Sequence, residues 1–187
     1  QTLDATAGCG ATLVVAPDPV TCFAGAAYEQ RQTIDLAPDA SLLLIDWLTS
    51  GRWACGERWA FESYRSRIDI RSGGRRVLLD ATTLDAAADD PIDAPHRCGR
   101  FDCLATVILI GPAFAALAEA LVKRNAAEPI QRNAPLIAAA SPIAREGAIG
   151  AILRILGPGA EPVGRCLTNC LAVGDALGGE GLFDRKW

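Results

Sequence analysis

Carboxylates are the residues of this sequence best placed to do chemistry. An Asp follows each of three apolar runs: Asp18 after Val14-Val15-Ala16-Pro17, Asp46 after Leu42 to Ile45, and Asp80 after Val77 to Leu79. A carboxylate at the edge of an apolar strand has to meet water, a cation or a hydrogen-bond donor, because burying it unpaired is too costly. If the three runs stack, the acids align on one side of the stack. The same residues have a simpler use, since Asp at a strand end caps turns. The residues alone leave both readings open. Glu57, in Cys55-Gly56-Glu57-Arg58-Trp59, reads most simply as an ion partner of Arg52 or Arg58. With Asp46 it would also supply the two carboxylates of an acid-base hydrolase, provided one cleft holds both.

Thiols and imidazole offer less. His96 is the single histidine, and with Cys98 and Cys103 it gives three possible zinc ligands without the paired C-x-x-C spacing of structural sites. The simpler reading is a solvated loop histidine with two incidental thiols. Cys166 and Cys170 stand four apart, on one face of a predicted helix, and with Cys22 they read as small apolar side chains packing on a core. There is no G-x-S-x-G elbow, no G-x-x-x-x-G-K-[ST] loop, no H-E-x-x-H and no G-x-G-x-x-G. Any nucleotide-driven step must then come from a partner.

The elements that position the acids follow from a loose repeat. Gln1-Thr2-Leu3-Asp4, a Gly-containing turn and Ala11 to Val15 are echoed by Gln32-Thr33-Ile34-Asp35, the turn Ala37-Pro38-Asp39 and Ala40 to Ile45. A third copy runs from Arg67-Ile68-Asp69-Ile70 through Ser72-Gly73-Gly74 to Val77-Leu78-Leu79. Each reads as an alternating, half-buried strand, a tight turn, and an apolar strand buried on both faces. The unit is a β-hairpin recurring about every 30 residues, which predicts stacked rungs or layered sheets. Beyond it, Asp85 to Arg100 has no period and reads as a surface loop. Phe101 to Ile110 is a strand, and Pro112 to Arg124 a helix with Phe114, Leu117, Leu121 and Val122 on one face. Leu136 to Ala140 and Ile149 to Leu156 read as two more strands, and Arg165 to Leu177 as a last helix. The fold class is mainly β: stacked β-strand layers, β-helix-like, with about two α-helices.

Composition bounds the setting. Half of the 187 residues are apolar, enough for one sizeable core, and the chain reads as a single domain over residues 1–187. The net charge of −4 comes without a clustered basic run, so nothing suits a nucleic-acid backbone. Seven scattered Cys point to reduced thiols and a cytoplasmic setting. The longest apolar run, Leu104 to Leu121, is broken by Gly111-Pro112 and carries Glu119, so no membrane span is expected.

Several motifs together resemble the central block of the UreD (UreH) urease accessory proteins. They are Pro17-Asp18-Pro19-Val20-Thr21-Cys22-Phe23-Ala24-Gly25-Ala26, Tyr28-Glu29-Gln30, Ser41 to Arg52 with Ile45-Asp46-Trp47, Gly56-Glu57-Arg58-Trp59, and Tyr64-Arg65-Ser66-Arg67. The likeness resumes at Ala105 to Pro112, at Gly147-Ala148-Ile149 and at Asp184-Arg185-Lys186-Trp187. The family's N-terminal third, with its Gly-Gly-Asp segment, has no counterpart, so the chain reads as the C-terminal two-thirds of the family domain. The resemblance implies a non-enzymatic scaffold acting with UreF and the GTPase UreG on apo-urease. No cofactor is expected to stay bound; nickel(II) is in transit along an internal passage lined partly by acids. It assigns passage carboxylates to Asp46 and Asp80, with Asp18 and Glu57 as weaker candidates. A purely structural adaptor, or a hydrolase built on Asp46 and Glu57, are the alternatives.

Overall fold

The repeat folds, but its first two copies are not hairpins. In the computed structural model, which describes residues 1–127 and 129–171, β1 (Thr2–Ala7) and β2 (Thr12–Val15) lie in different sheets, as do β4 (Ala27–Leu36) and β5 (Ser41–Thr49). Each copy is an arch: the chain leaves one sheet, turns, and enters the other. Successive arches stack in parallel, β1 on β4 and β2 on β5. Ala37 N–H donates to the Ala7 carbonyl and Ser41 N–H to the Ala11 carbonyl, so the turns are stapled as well as the strands. Leu3 pairs with Gln32, and not with Ile34 as the sequence echo suggests. The slip is two residues, which keeps the same side chains inward.

The third copy is a true hairpin. β6 (Ser63–Ser72) and β7 (Arg75–Asp85) pair antiparallel, with Ser72 opposite Arg75. Gly73 and Gly74 form the two-residue connection, both at positive φ (55° and 79°), the geometry that suits tight hairpin turns.

The first sheet has the order β1-β4-β6-β7. The second has the order β2-β5-β8-β10-β9, where β8 is Cys103–Ile110, β9 Ile137–Arg145 and β10 Ala148–Gly157, and β3 (Val20–Thr21) also pairs with β5. Helix α1 (Ala115–Ala127), entered through a 3-10 turn at Pro112–Phe114, and helix α2 (Ala160–Cys170) cover the second sheet's outer face. Helix α2 begins five residues before the expected Arg165, because Pro162 falls in the first turn, where its missing N–H costs nothing. The rest of the helix expected to Leu177, and the Asp184 to Trp187 likeness, lie outside the described residues. Among the described residues no helix is long and apolar enough to cross a membrane.

The middle strand β5 explains why its run is continuously apolar. Leu43, Ile45 and Trp47 face the helices with Val107, Leu109, Phe114, Leu121 and Leu153. Leu42 and Leu44 face the first sheet with Ile34, Ile68, Ile70, Ile108 and Ile110. At the other end of that interior, Leu48 packs with Trp59, Phe61, Tyr64 and Leu84. Ile92 and Cys98 belong to this last cluster, so the segment read as a surface loop plugs one end of the sandwich. Fully burying a side chain such as Leu or Ile stabilises by about 1.5–3 kcal/mol, which is why two unspaced apolar residues were enough to pin a stretch with no period.

Candidate functional site

Between the two apolar clusters of the inter-sheet space lies a polar layer. The alternation of β5 puts Asp46 on the same face as Leu44 and Leu48, and the ladder sets it level with Thr106 on β8. Thr106 is in turn level with Arg154 on β10. Across the interior, Gln30 on β4 is level with Ser66 on β6, and Ser66 with Thr82 on β7. One row of polar side chains therefore crosses each sheet at the same height.

The layer is tightly bonded around Asp46. Gln30 Nε2 donates to Asp46 Oδ1 at 2.6 Å and Ser66 Oγ donates to Oδ2 at 2.8 Å. Gln30 Nε2 also lies 3.1 Å from Tyr64 Oη and 2.9 Å from Ser66 Oγ, while Tyr28 Oη donates to Gln30 Oε1 at 3.3 Å. Gln30 and Ser66 are each 5% exposed and Tyr64 2%, so these bonds form away from bulk water, where an unmade one would be expensive. Burial pushes the Asp46 carboxyl above the usual carboxylate range. The bonds from Ser66 and Gln30 pull it back, and the charge of Asp80 adds to the upward push. Burial, and then the charge of Asp46, push the Tyr64 phenol up, so it stays a neutral hydroxyl.

Asp80 stands two residues from Thr82 on the inward face of β7, opposite Ile68. It is not open to solvent or to a cation as it stands: Arg154, reaching across from the second sheet, donates to Asp80 Oδ1. The Asp80 side chain is 11% exposed and that of Arg154 49%. A cavity of about 80 Å3 opens beside the layer, lined by Asp46, Tyr64, Thr82, Thr106 and Arg154 with apolar neighbours. A polar site of that size has room for a few waters. Arg154 both lines the cavity and holds Asp80, so it joins the two acids into one arrangement.

The other sequence candidates are elsewhere. Asp18 is exposed, in the loop from β2 to β3 that passes the edge of β5 beside Trp47, whose Nε1 donates to the Pro17 carbonyl at 2.8 Å. Glu57 clamps a turn: it accepts from the Ala24 N–H at 3.1 Å and from both Arg52 Nε (3.0 Å) and Arg52 Nη2. The residues that line the cavity do not include Glu57, so the pair a hydrolase needs is not brought together. His96 is exposed, 3.4 Å from Asp90, whereas Cys98 is buried in the end plug and Cys103 against the helices. Among the described residues, no group of three or more His, Cys, Asp or Glu could hold a metal ion.

Gln30, Ser66, Thr106 and Arg154 were not singled out from the sequence. A signal was present for two of them. Leu104-x-Thr106-x-Ile108-x-Ile110 and Ile152-x-Arg154-x-Leu156 each carry one polar residue in an otherwise apolar inward row, the same irregularity that marks Asp46.

Comparison with known proteins gives this arrangement a family. The UreD urease accessory protein family matches residues 1–187. The urease accessory protein UreD of Sorangium cellulosum is 49% identical over 187 residues, covering 100% of this chain and 57% of that protein. Its counterpart in Anaeromyxobacter is 44% identical over 99% of this chain and 60% of that protein, and urease accessory protein D of Oryza sativa subsp. indica is 31% identical over 92% and 62%. The chain thus spans less than two thirds of the length of these relatives. With the family match running over all 187 residues, and an acid-bearing polar layer inside stacked β-sheets, this chain belongs to the UreD family of urease accessory proteins.

Proposed function

We propose that the protein is a cytoplasmic, non-enzymatic factor of urease maturation that works with UreF and the GTPase UreG to deliver Ni2+ into apo-urease, and that the polar layer is part of the metal's route. The observation that supports this most is the placement of Asp46. A largely buried carboxylate, held by Gln30 and Ser66 between two apolar clusters and beside a water-sized cavity, is costly to maintain and makes sense as a contact for something that passes. Carboxylate, hydroxyl, amide and water oxygens hold Ni2+ less firmly than imidazole or thiolate, which is what a conduit requires of its lining. Ni2+ arriving at Asp46 meets a carboxylate whose charge burial disfavours and a cation would stabilise. At Asp80 it competes with the Arg154 guanidinium.

The second reading, a structural adaptor, is favoured by one observation: Asp80 already has a partner that ties the two sheets together. The two readings separate in the double substitution Asp46→Ala, Asp80→Ala, made in the full-length protein. On the conduit reading UreF and UreG are still pulled down, while urease matured with the variant contains less nickel. Normal nickel content, with the complex intact, would leave the protein as an adaptor whose acids are structural.

A further inference from the structure

On the helix-covered side of the second sheet, away from the polar layer, two thiols and a guanidinium meet, Cys170 buried and Cys166 half-buried. Cys166 and Cys170 lie on the same face of α2, their sulfurs 3.8 Å apart. Arg124, in the last turn of α1, reaches across and donates from Nη2 to Cys170 Sγ at 2.7 Å. Cys170 Sγ therefore accepts from a cation on another helix and shares a sulfur–sulfur hydrogen bond with Cys166 in which either thiol can donate. The C-terminal end of a helix carries about half a negative charge and would by itself disfavour a thiolate at Cys170. A whole positive charge in direct contact outweighs it. The Cys166 hydrogen bond pulls the Cys170 thiol below its ordinary range, with Arg124 adding to the pull, while the same bond pushes Cys166 up.

We propose that Cys166 and Cys170 are a peroxide-reactive dithiol, with Cys170 the attacking sulfur and Cys166 the resolving one, which closes to a disulfide within α2. The oxidant is a hydroperoxide. The Cys170 thiolate attacks one peroxide oxygen, the O–O bond breaks, and the departing alkoxide or hydroxide takes up a proton, leaving a sulfenic acid at Cys170. The Cys166 sulfur then attacks Cys170, the S–O bond breaks, and the hydroxyl leaves as water with the Cys166 proton. In all, two thiols are oxidised and one hydroperoxide is reduced to an alcohol or water, with one further water released.

The spacing allows the product. Residues four apart on a helix have Cα atoms about 6 Å apart, inside the range that a disulfide spans. Cys170 is the last residue of α2, in the turn closed by the Leu171 N–H donating to the Leu167 carbonyl. The remaining cysteines provide an internal reference, since Cys9 and Cys55 are exposed, whereas Cys170 has Arg124 and Cys166 within hydrogen-bond reach.

The test uses the full-length protein treated with hydrogen peroxide, then denatured, alkylated and cleaved with trypsin. Cleavage after Arg165 and Arg185 places Cys166 and Cys170 in one peptide, so the disulfide shows as that peptide losing two hydrogens and refusing the alkylating reagent. The expected result is closure at least about tenfold faster than oxidation of Cys9 or Cys55. Arg124→Leu should slow it about tenfold, and Arg124→Lys, which keeps a charge, should slow it less. Cys166→Ser should divert Cys170 to a sulfinic acid. The proposal is overturned if the peptide stays reduced while Cys9 and Cys55 oxidise, or if Arg124→Leu leaves the rate unchanged. The wild-type comparison of cysteines decides the matter even where a variant fails to fold.

Discussion

Arg154→Met is the most informative single change, because it removes the guanidinium while keeping an apolar stem of similar reach. Two limits bracket its cost. Exposed ion pairs contribute about 0–1 kcal/mol, and removing one partner from a fully buried pair costs about 3–5 kcal/mol. The Arg154–Asp80 pair straddles them, since Asp80 is 11% exposed and Arg154 49%. The two removals are therefore unequal. Arg154→Met strands a mostly buried carboxylate and should destabilise by about 2 kcal/mol, the desolvation cost of an unpaired charged acceptor. Asp80→Asn leaves a guanidinium that can turn to water, and should cost about 0.5 kcal/mol. The sign of the double variant follows: adding Asp80→Asn to Arg154→Met should restore stability by about 1 kcal/mol, because the stranded charge is gone. Urea unfolding midpoints, at constant dependence on denaturant, give all three numbers. Equal costs for the two single variants, or no rescue in the double, would show that the pair is an ordinary surface bridge and that Arg154 does not hold Asp80. On the proposed nickel route, Arg154→Met should also bind Ni2+ more tightly by titration calorimetry, since the metal would not have to compete with a tethered cation.

Two further outcomes test the frame around this pair. Because burial raises the Asp46 carboxyl in the fold, its favourable contribution is fully present below the unfolded value of about 3.9 and is lost as pH rises through the folded one. Asp46→Asn cannot ionise, so its Tm should rise relative to the wild type from about pH 4 toward neutrality; parallel curves would mean that burial does not govern this group. Gly111, where β8 turns into the α1 approach, sits at φ +93°, and a Cβ there would lie 2.2 Å from the Ala40 carbonyl oxygen. Gly111→Ala should therefore destabilise by about 2–3 kcal/mol or more in the same urea assay, and a neutral result would refute the close approach of the Gly111 and Ala40 segments.

How far the sequence reaches is clearest at the turns. An arch and a hairpin share one written pattern, an alternating strand, a turn and a second strand, so the period placed the strands and left the sheets they join open. The third copy did carry a distinguishing mark, its Gly73-Gly74 doublet, because two adjacent positive-φ residues fold a chain back on its own sheet. The first two turns, Gly8 to Gly10 and Ala37 to Asp39, have no such doublet and send the chain across the interior instead. Asp46 and Asp80 were legible as acids after apolar runs, but Arg154 was not, because it lies 74 residues from Asp80 in sequence and becomes its partner only when β10 docks beside β8. The end plug was missed for the opposite reason: Ile92 and Cys98 are isolated, and two unspaced residues have no period to read.

The same topology explains why the polar layer lies where it does. An arch lets the side chains of two sheets face each other at one height over several strands, so a single polar position per strand becomes a row and two rows become a layer. Asp46, Thr106 and Arg154 make one row, Gln30, Ser66 and Thr82 the other. Apolar clusters on either side exclude bulk water from its middle, which strengthens every bond within it and raises the cost of leaving any of them unmade. A layer of this kind contributes little to stability compared with an apolar core of the same volume. Its gain is a polar line through an apolar interior, with one acid held by neutral donors and the other by a cation that is half in water. Stabilisation by Asp46→Asn together with loss of nickel transfer is the combination that would tie the cost of the layer to its use.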